Sequence, residues 1–124
     1  MGVRHGSTSA ADDPLVMLYV PCGGETEAKD IAARLLEERL IACANIYASR
    51  SLYRWKGEVA DEQEQVLVCK TLSSRLEAAT ARTRQLHAYE VPCILTVISA
   101  NANYEFYDWV RRELSEAGEA DAAQ

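Results

Sequence analysis

Apolar residues along this chain recur with two periods, and the places where one gives way to the other mark its elements. Leu15–Val20, LVMLYV, is a short apolar run that stops at Pro21-Cys22-Gly23-Gly24, which predicts a central strand and a turn. Ala28, Ile31, Ala32, Leu35, Leu36 and Leu40 then follow at helical spacing, with Thr26 as the expected cap and Glu25 and Glu27 at the positive end. From Cys43 to Trp55 the spacing becomes strand-like, with a bulge expected at Ser49-Arg50-Ser51. Lys56-Gly57 is a two-residue turn signal, and Glu58 to Thr71 returns as the partner strand. Strands usually run about 5–6 residues, so this hairpin must extend past its own core.

Ser74-Arg75-Leu76-Glu77 reads as a capping box, followed by an inner helical stripe of Leu76, Ala79, Thr83 and Leu86. Pro92 prevents that helix from continuing. Cys93–Ser99, CILTVIS, predicts a buried strand, and Asn101 or Asn103 caps a last helix carrying Phe106, Trp109, Val110 and Leu114. Residues 1–13, including His5, read as a disordered leader, 14–115 as the folded domain, and 116–124 as a flexible tail.

The order β-α-β-β-α-β-α is α+β and fits a ferredoxin-like βαββαβ sandwich with an extra C-terminal helix and a long β2–β3 hairpin. Helices cover one face of such a sheet. In the first strand Val16, Leu18 and Val20 alternate with Leu15, Met17 and Tyr19, so both faces are apolar. A second apolar face and a projecting hairpin predict oligomerisation, with Tyr53 and Trp55 at the join.

Composition narrows the partners. A length of 124 residues suits one domain with a core that needs no staples. A net charge of −6 argues against nucleic acid, because phosphates repel an acidic surface. Cys22, Cys43, Cys69 and Cys93 form no CxxC pair, which favours reduced thiols. No stretch approaches the roughly 20 apolar residues of a membrane span. The polar start lacks a secretory core, so the expected location is cytoplasmic.

The chain has no GxSxG, no phosphate-binding glycine loop and no HExxH, so no enzymatic activity is expected. His87 suits either a metal ligand beside Tyr89 or a helix-end cation. Glu64 suits either an interior site or a solvated strand position, and Lys70 either an anion or a carboxylate partner. Asp61 and Glu62 near the hairpin tip suit a solvated edge.

Taken in order, LIACANI (40–46), SLYRWKGE (51–58), Glu64 before VLVCKT (66–71), HAYEVP (87–92) and Phe106-x-x-Trp109 resemble the CutA divalent-cation tolerance family over Leu15 to Leu114. The resemblance implies a homotrimer whose hairpins reach across neighbouring subunits. It also implies a role in the response to metal ions, with copper or another divalent cation as ligand. It carries over His87, Glu64, Lys70 and Tyr89 as a metal or ligand cleft, with Trp55 nearby, while Cys22 and Cys93 offer soft ligands. The chain departs from the family pattern at Tyr19, Ala88, Cys93 and Phe106. Fold-level analogy to the PII signalling proteins offers an alternative, a sensor or scaffold holding a small anionic ligand between subunits.

Overall fold

The computed structural model describes residues 12–98 and 101–115. His5, the rest of the expected leader up to residue 11, Ser99 and the tail 116–124 lie outside the described residues. Strand β1 (Leu15–Cys22) leads to helix α1 (Glu25–Glu37), then β2 (Cys43–Trp55), β3 (Glu58–Leu72), α2 (Ser73–Leu86), β4 (Leu95–Ile98) and α3 (Tyr104–Leu114). The four strands form one antiparallel sheet in the order β2-β3-β1-β4. This is the predicted ferredoxin-like α+β arrangement with its added C-terminal helix.

Strand alternation sorts the sheet into two faces. Leu18, Val20, Cys22, Leu67 and Cys69 face the helices and pack with Ala28, Ile31, Leu35 and Ala79 into the main core. Leu15 and Leu72 point the other way, into a second cluster with Tyr107, Val110 and Leu114 of α3. Helix α3 therefore covers only one end of the second face. Further along, Tyr47, Leu95 and Val97 are exposed, and Met17 and Tyr19 are half-buried.

Three local expectations need correction. The β2–β3 register runs without interruption from Cys43↔Lys70 to Trp55↔Glu58, so Ser49-Arg50-Ser51 is regular strand rather than a bulge. Lys56 and Gly57 both have positive φ, which matches the twist of the flanking strands and leaves nothing for a bulge to absorb. The capping box is not formed either. Helix α2 starts at Ser73, and Asp13 caps it from a distance, accepting the Ser74 N–H at 2.7 Å and the Ser74 hydroxyl at 2.6 Å. Thr26 likewise lies inside α1, whose cap position is Gly24; Glu27 reaches back instead and accepts the Gly23 N–H at 2.9 Å.

CILTVIS is a four-residue edge strand, Leu95–Ile98, and not a long buried one. It pairs only with β1, so Leu95 and Ile98 stay exposed at 54% and 69%. The hairpin does project. The end of β1 pairs Cys22 with Gln65, so β2 and β3 continue beyond it as a two-stranded ribbon of roughly 20 Å.

Candidate functional site

The chain leaves α2 at His87, whose N–H still bonds the Thr83 carbonyl at 3.0 Å while its backbone turns extended. That turn drives the imidazole inward beneath the end of β1. Its Nε2 lies 2.8 Å from the Pro21 carbonyl oxygen, which can only accept, so Nε2 carries the proton. Nδ1 accepts the Tyr89 N–H at 3.1 Å and stands 3.7 Å from Glu27 Oε2. The same Glu27 oxygen accepts the Ala88 N–H at 2.8 Å. One carboxylate and one imidazole thus tie together the end of β1, the start of α1 and the loop after α2. Cys22 completes the group: its sulfur, a Glu27 oxygen and a His87 nitrogen all lie within 4.8 Å of one another. Burial, then the charges of Glu27 and Glu64, push the Cys22 thiol up to about 12.

Tyr89 crosses from this cluster to the second face. Its ring meets His87 edge-on at 4.7 Å, and its hydroxyl donates to Glu64 Oε2 at 2.6 Å. Burial first, and the hydrogen bond to Glu64 second, hold the Tyr89 hydroxyl well above the usual tyrosine range. Glu64 is only 5% exposed; the solvated alternative for this residue falls, because the side chain sits under Tyr89 at the end of the sheet.

In front of Glu64 opens a groove of about 750 Å³, bounded by Tyr19, Tyr53, Trp55, Glu62, Tyr89 and Cys93. Its charged lining is mainly acidic: Glu62, Glu64 and Glu90 face it, and Arg50 is already paired with Asp61 through two contacts of 2.9 Å. Burial and the Glu64 charge raise the Cys93 thiol.

The structure divides the residues that sequence put together. Glu64, Tyr89, Tyr53, Trp55 and Cys93 share the groove. His87 and Cys22 lie behind it, His87 as a buried strut and Cys22 on the helix-facing side of the sheet. Lys70 is six residues from Glu64 along β3, close to Phe106, and its Nζ donates to Asn45 Oδ1 at 2.6 Å. The helix-dipole reading of Glu27 missed its contact with His87. The available signal was a glutamate three residues into a helix that follows Gly23-Gly24, a position from which carboxylates reach back.

The family model described as "CutA1 divalent ion tolerance protein" matches residues 16–113, which take in every element above except the first residue of β1 and the last of α3. The chain belongs to the CutA1 divalent ion tolerance family. A divalent-cation tolerance protein CutA from Thermus thermophilus is 41% identical over 100 residues, covering 80% of this chain and 95% of that protein. Its counterpart from Thermotoga maritima is 35% identical over 100 residues, covering 81% and 99%. Among solved structures, the protein described as the periplasmic divalent cation tolerance protein CutA from Archaeoglobus fulgidus superposes with a TM-score of 0.80 at 30% identity, over 82% of this chain and 99% of the other. CutA1 membership and the shared fold agree with the resemblance read from the sequence. Among the described residues, no helix is long and apolar enough to cross a membrane.

Proposed function

We propose that this CutA1-family chain acts in divalent-cation tolerance as a homotrimer that holds a divalent cation, copper among them, in the groove before Glu64, without turnover. The observation that carries the reading is the Glu64 carboxylate: 5% exposed, bonded to Tyr89 and facing an acidic groove. A buried carboxylate there attracts cations and repels anions. The donor set fits a copper ion, since Glu62, Glu64 and Glu90 offer oxygen and Cys93 offers a sulfur. Those residues would hold it, and the metal would supply the positive charge they lack. The anionic alternative draws less support, because within one chain Lys70 stands away from the groove with its Nζ on Asn45 Oδ1. Four unpaired cysteines suit a reducing, cytoplasmic setting.

Calorimetric titration with Cu²⁺ tests the cation. Saturable binding that weakens at least tenfold in Glu64→Gln is expected. Binding no tighter than about millimolar would overturn the reading, since that is too weak for a dedicated site. The trimer rests on the apolar face that α3 leaves uncovered, with Met17, Tyr19, Leu95 and Val97 upon it.

A further inference from the structure

The geometry points to a second cation site, buried behind the groove and built from Cys22, Glu27 and His87, suited to a borderline-soft divalent ion such as zinc. Sulfur, carboxylate oxygen and imidazole nitrogen are the three donor types zinc takes from proteins. Here one of each lies within 4.8 Å of the others. A tetrahedral ion with bonds of about 2.0–2.3 Å would bring such donors to about 3.3–3.8 Å, so movements of roughly 1 Å complete the site.

The surroundings of the three donors are those of a prepared site. The imidazole has the tautomer that leaves Nδ1 as the nitrogen able to ligate. Its Nε2–H is fixed on the Pro21 carbonyl at 2.8 Å, which leaves the Nδ1 lone pair on the side of Glu27. A histidine that ligates a metal through one nitrogen normally donates from the other to a carbonyl or carboxylate in this way. The Glu27 carboxylate is oriented by two backbone N–H groups, from Gly23 at 2.9 Å and Ala88 at 2.8 Å, and each oxygen keeps a further lone pair. Two local bonds compete: the Tyr89 N–H on Nδ1 at 3.1 Å, and the Cys22 S–H on the Val20 carbonyl at 3.5 Å, which is lost with the thiol proton. The ion would displace both.

Charge balance selects the class of ion. Binding replaces the Cys22 S–H bond with a metal–sulfur bond and releases that proton to solvent. The thiolate and the Glu27 carboxylate then carry two negative charges, which a dication neutralises in a buried place. A monovalent ion would leave one charge uncompensated beside Glu64. Three protein donors leave a fourth position for water or another ligand.

Cobalt(II) is the probe, because a thiolate bound to it gives a charge-transfer band in the near ultraviolet. Titration of the reduced, full-length protein should produce that band at one equivalent per chain, and zinc should abolish it. The band should be absent in Cys22→Ser and persist in Cys93→Ser. His87→Ala should weaken cobalt binding at least tenfold. No band in the wild type, a band that survives Cys22→Ser, or one lost in Cys93→Ser would each overturn the proposal. Should Cys22→Ser fail to fold, Glu27→Gln decides: its cobalt affinity must fall at least tenfold, and unchanged affinity would overturn the site. This band reads the buried site, whereas calorimetry on Glu64→Gln reads the groove, so either can fail alone.

Discussion

Tyr89 shows how one hydroxyl supports a buried charge. Removing it in Tyr89→Phe leaves Glu64 Oε2 without its 2.6 Å donor in a site that water scarcely reaches. Hydrogen bonds to charged groups contribute about 1.5–3 kcal/mol, so urea denaturation of Tyr89→Phe should show a loss of that order. The buried thiols give a pH dependence of definite sign. Cys22 and Cys69 rise from 9.0 to about 12, chiefly through burial. A pKa raised by folding favours the protonated form, so this stability is complete below pH 9, where both states keep the proton. It falls as pH climbs from 9 towards 12, where the unfolded chain ionises first. Urea midpoints measured at pH 8 and pH 10.5 should therefore drop, and the drop should shrink in Cys69→Ala. Neither effect was legible in the local sequence. Glu64 lies in an alternating acidic stretch, and only the fold closes Tyr89 over it.

At the scale of elements, the hairpin turn and the α2 cap are the informative cases. Gly57 has φ +85°, where an added Cβ meets no neighbour but the backbone itself is strained. Gly57→Ala should cost about 1–2 kcal/mol by thermal or urea unfolding. Lys56, at φ 51°, sits in the same left-handed region without glycine's freedom, so Lys56→Asn should stabilise by several tenths of a kcal/mol. The dipeptide and its place were readable, because turn chemistry is local. The cap of α2 was not. Ser74-x-x-Glu77 has the right spacing for a box, yet Asp13 reaches the Ser74 N–H first, from 61 residues away. Asp13→Ala should cost about 1 kcal/mol, while the box reading would have assigned that loss to Glu77.

For the whole molecule, the uncovered second face dominates. Helix α3 shelters the Leu15–Leu72 end, and the rest presents apolar side chains beside an unpaired edge strand. A charge placed there should oppose assembly. Light scattering should give three times the 13.7 kDa chain mass for the wild type, and a smaller particle for Val97→Lys. A wild-type mass of a single chain would contradict the trimer. The short, exposed β4 belongs to the same scale: an apolar run predicts burial, but among the described residues no element packs on its outer side.

What the sequence determined by itself was set by short-range physics. The alternation of periods placed every strand and helix, Lys56-Gly57 closed the hairpin, and a first strand apolar on both faces announced a surface needing cover. Ordered family-like segments supplied the rest of the fold. Tertiary structure alone decided which of the candidate residues stand together. His87 and Tyr89 are neighbours in the chain, yet the turn after α2 sends one behind the sheet and the other in front of it. Glu27 meets His87 across 60 positions, and Lys70 is held apart from Glu64 by the length of the strand they share. Spacing along a chain encodes which face a residue takes, whereas the partners it finds there depend on packing between elements distant in sequence.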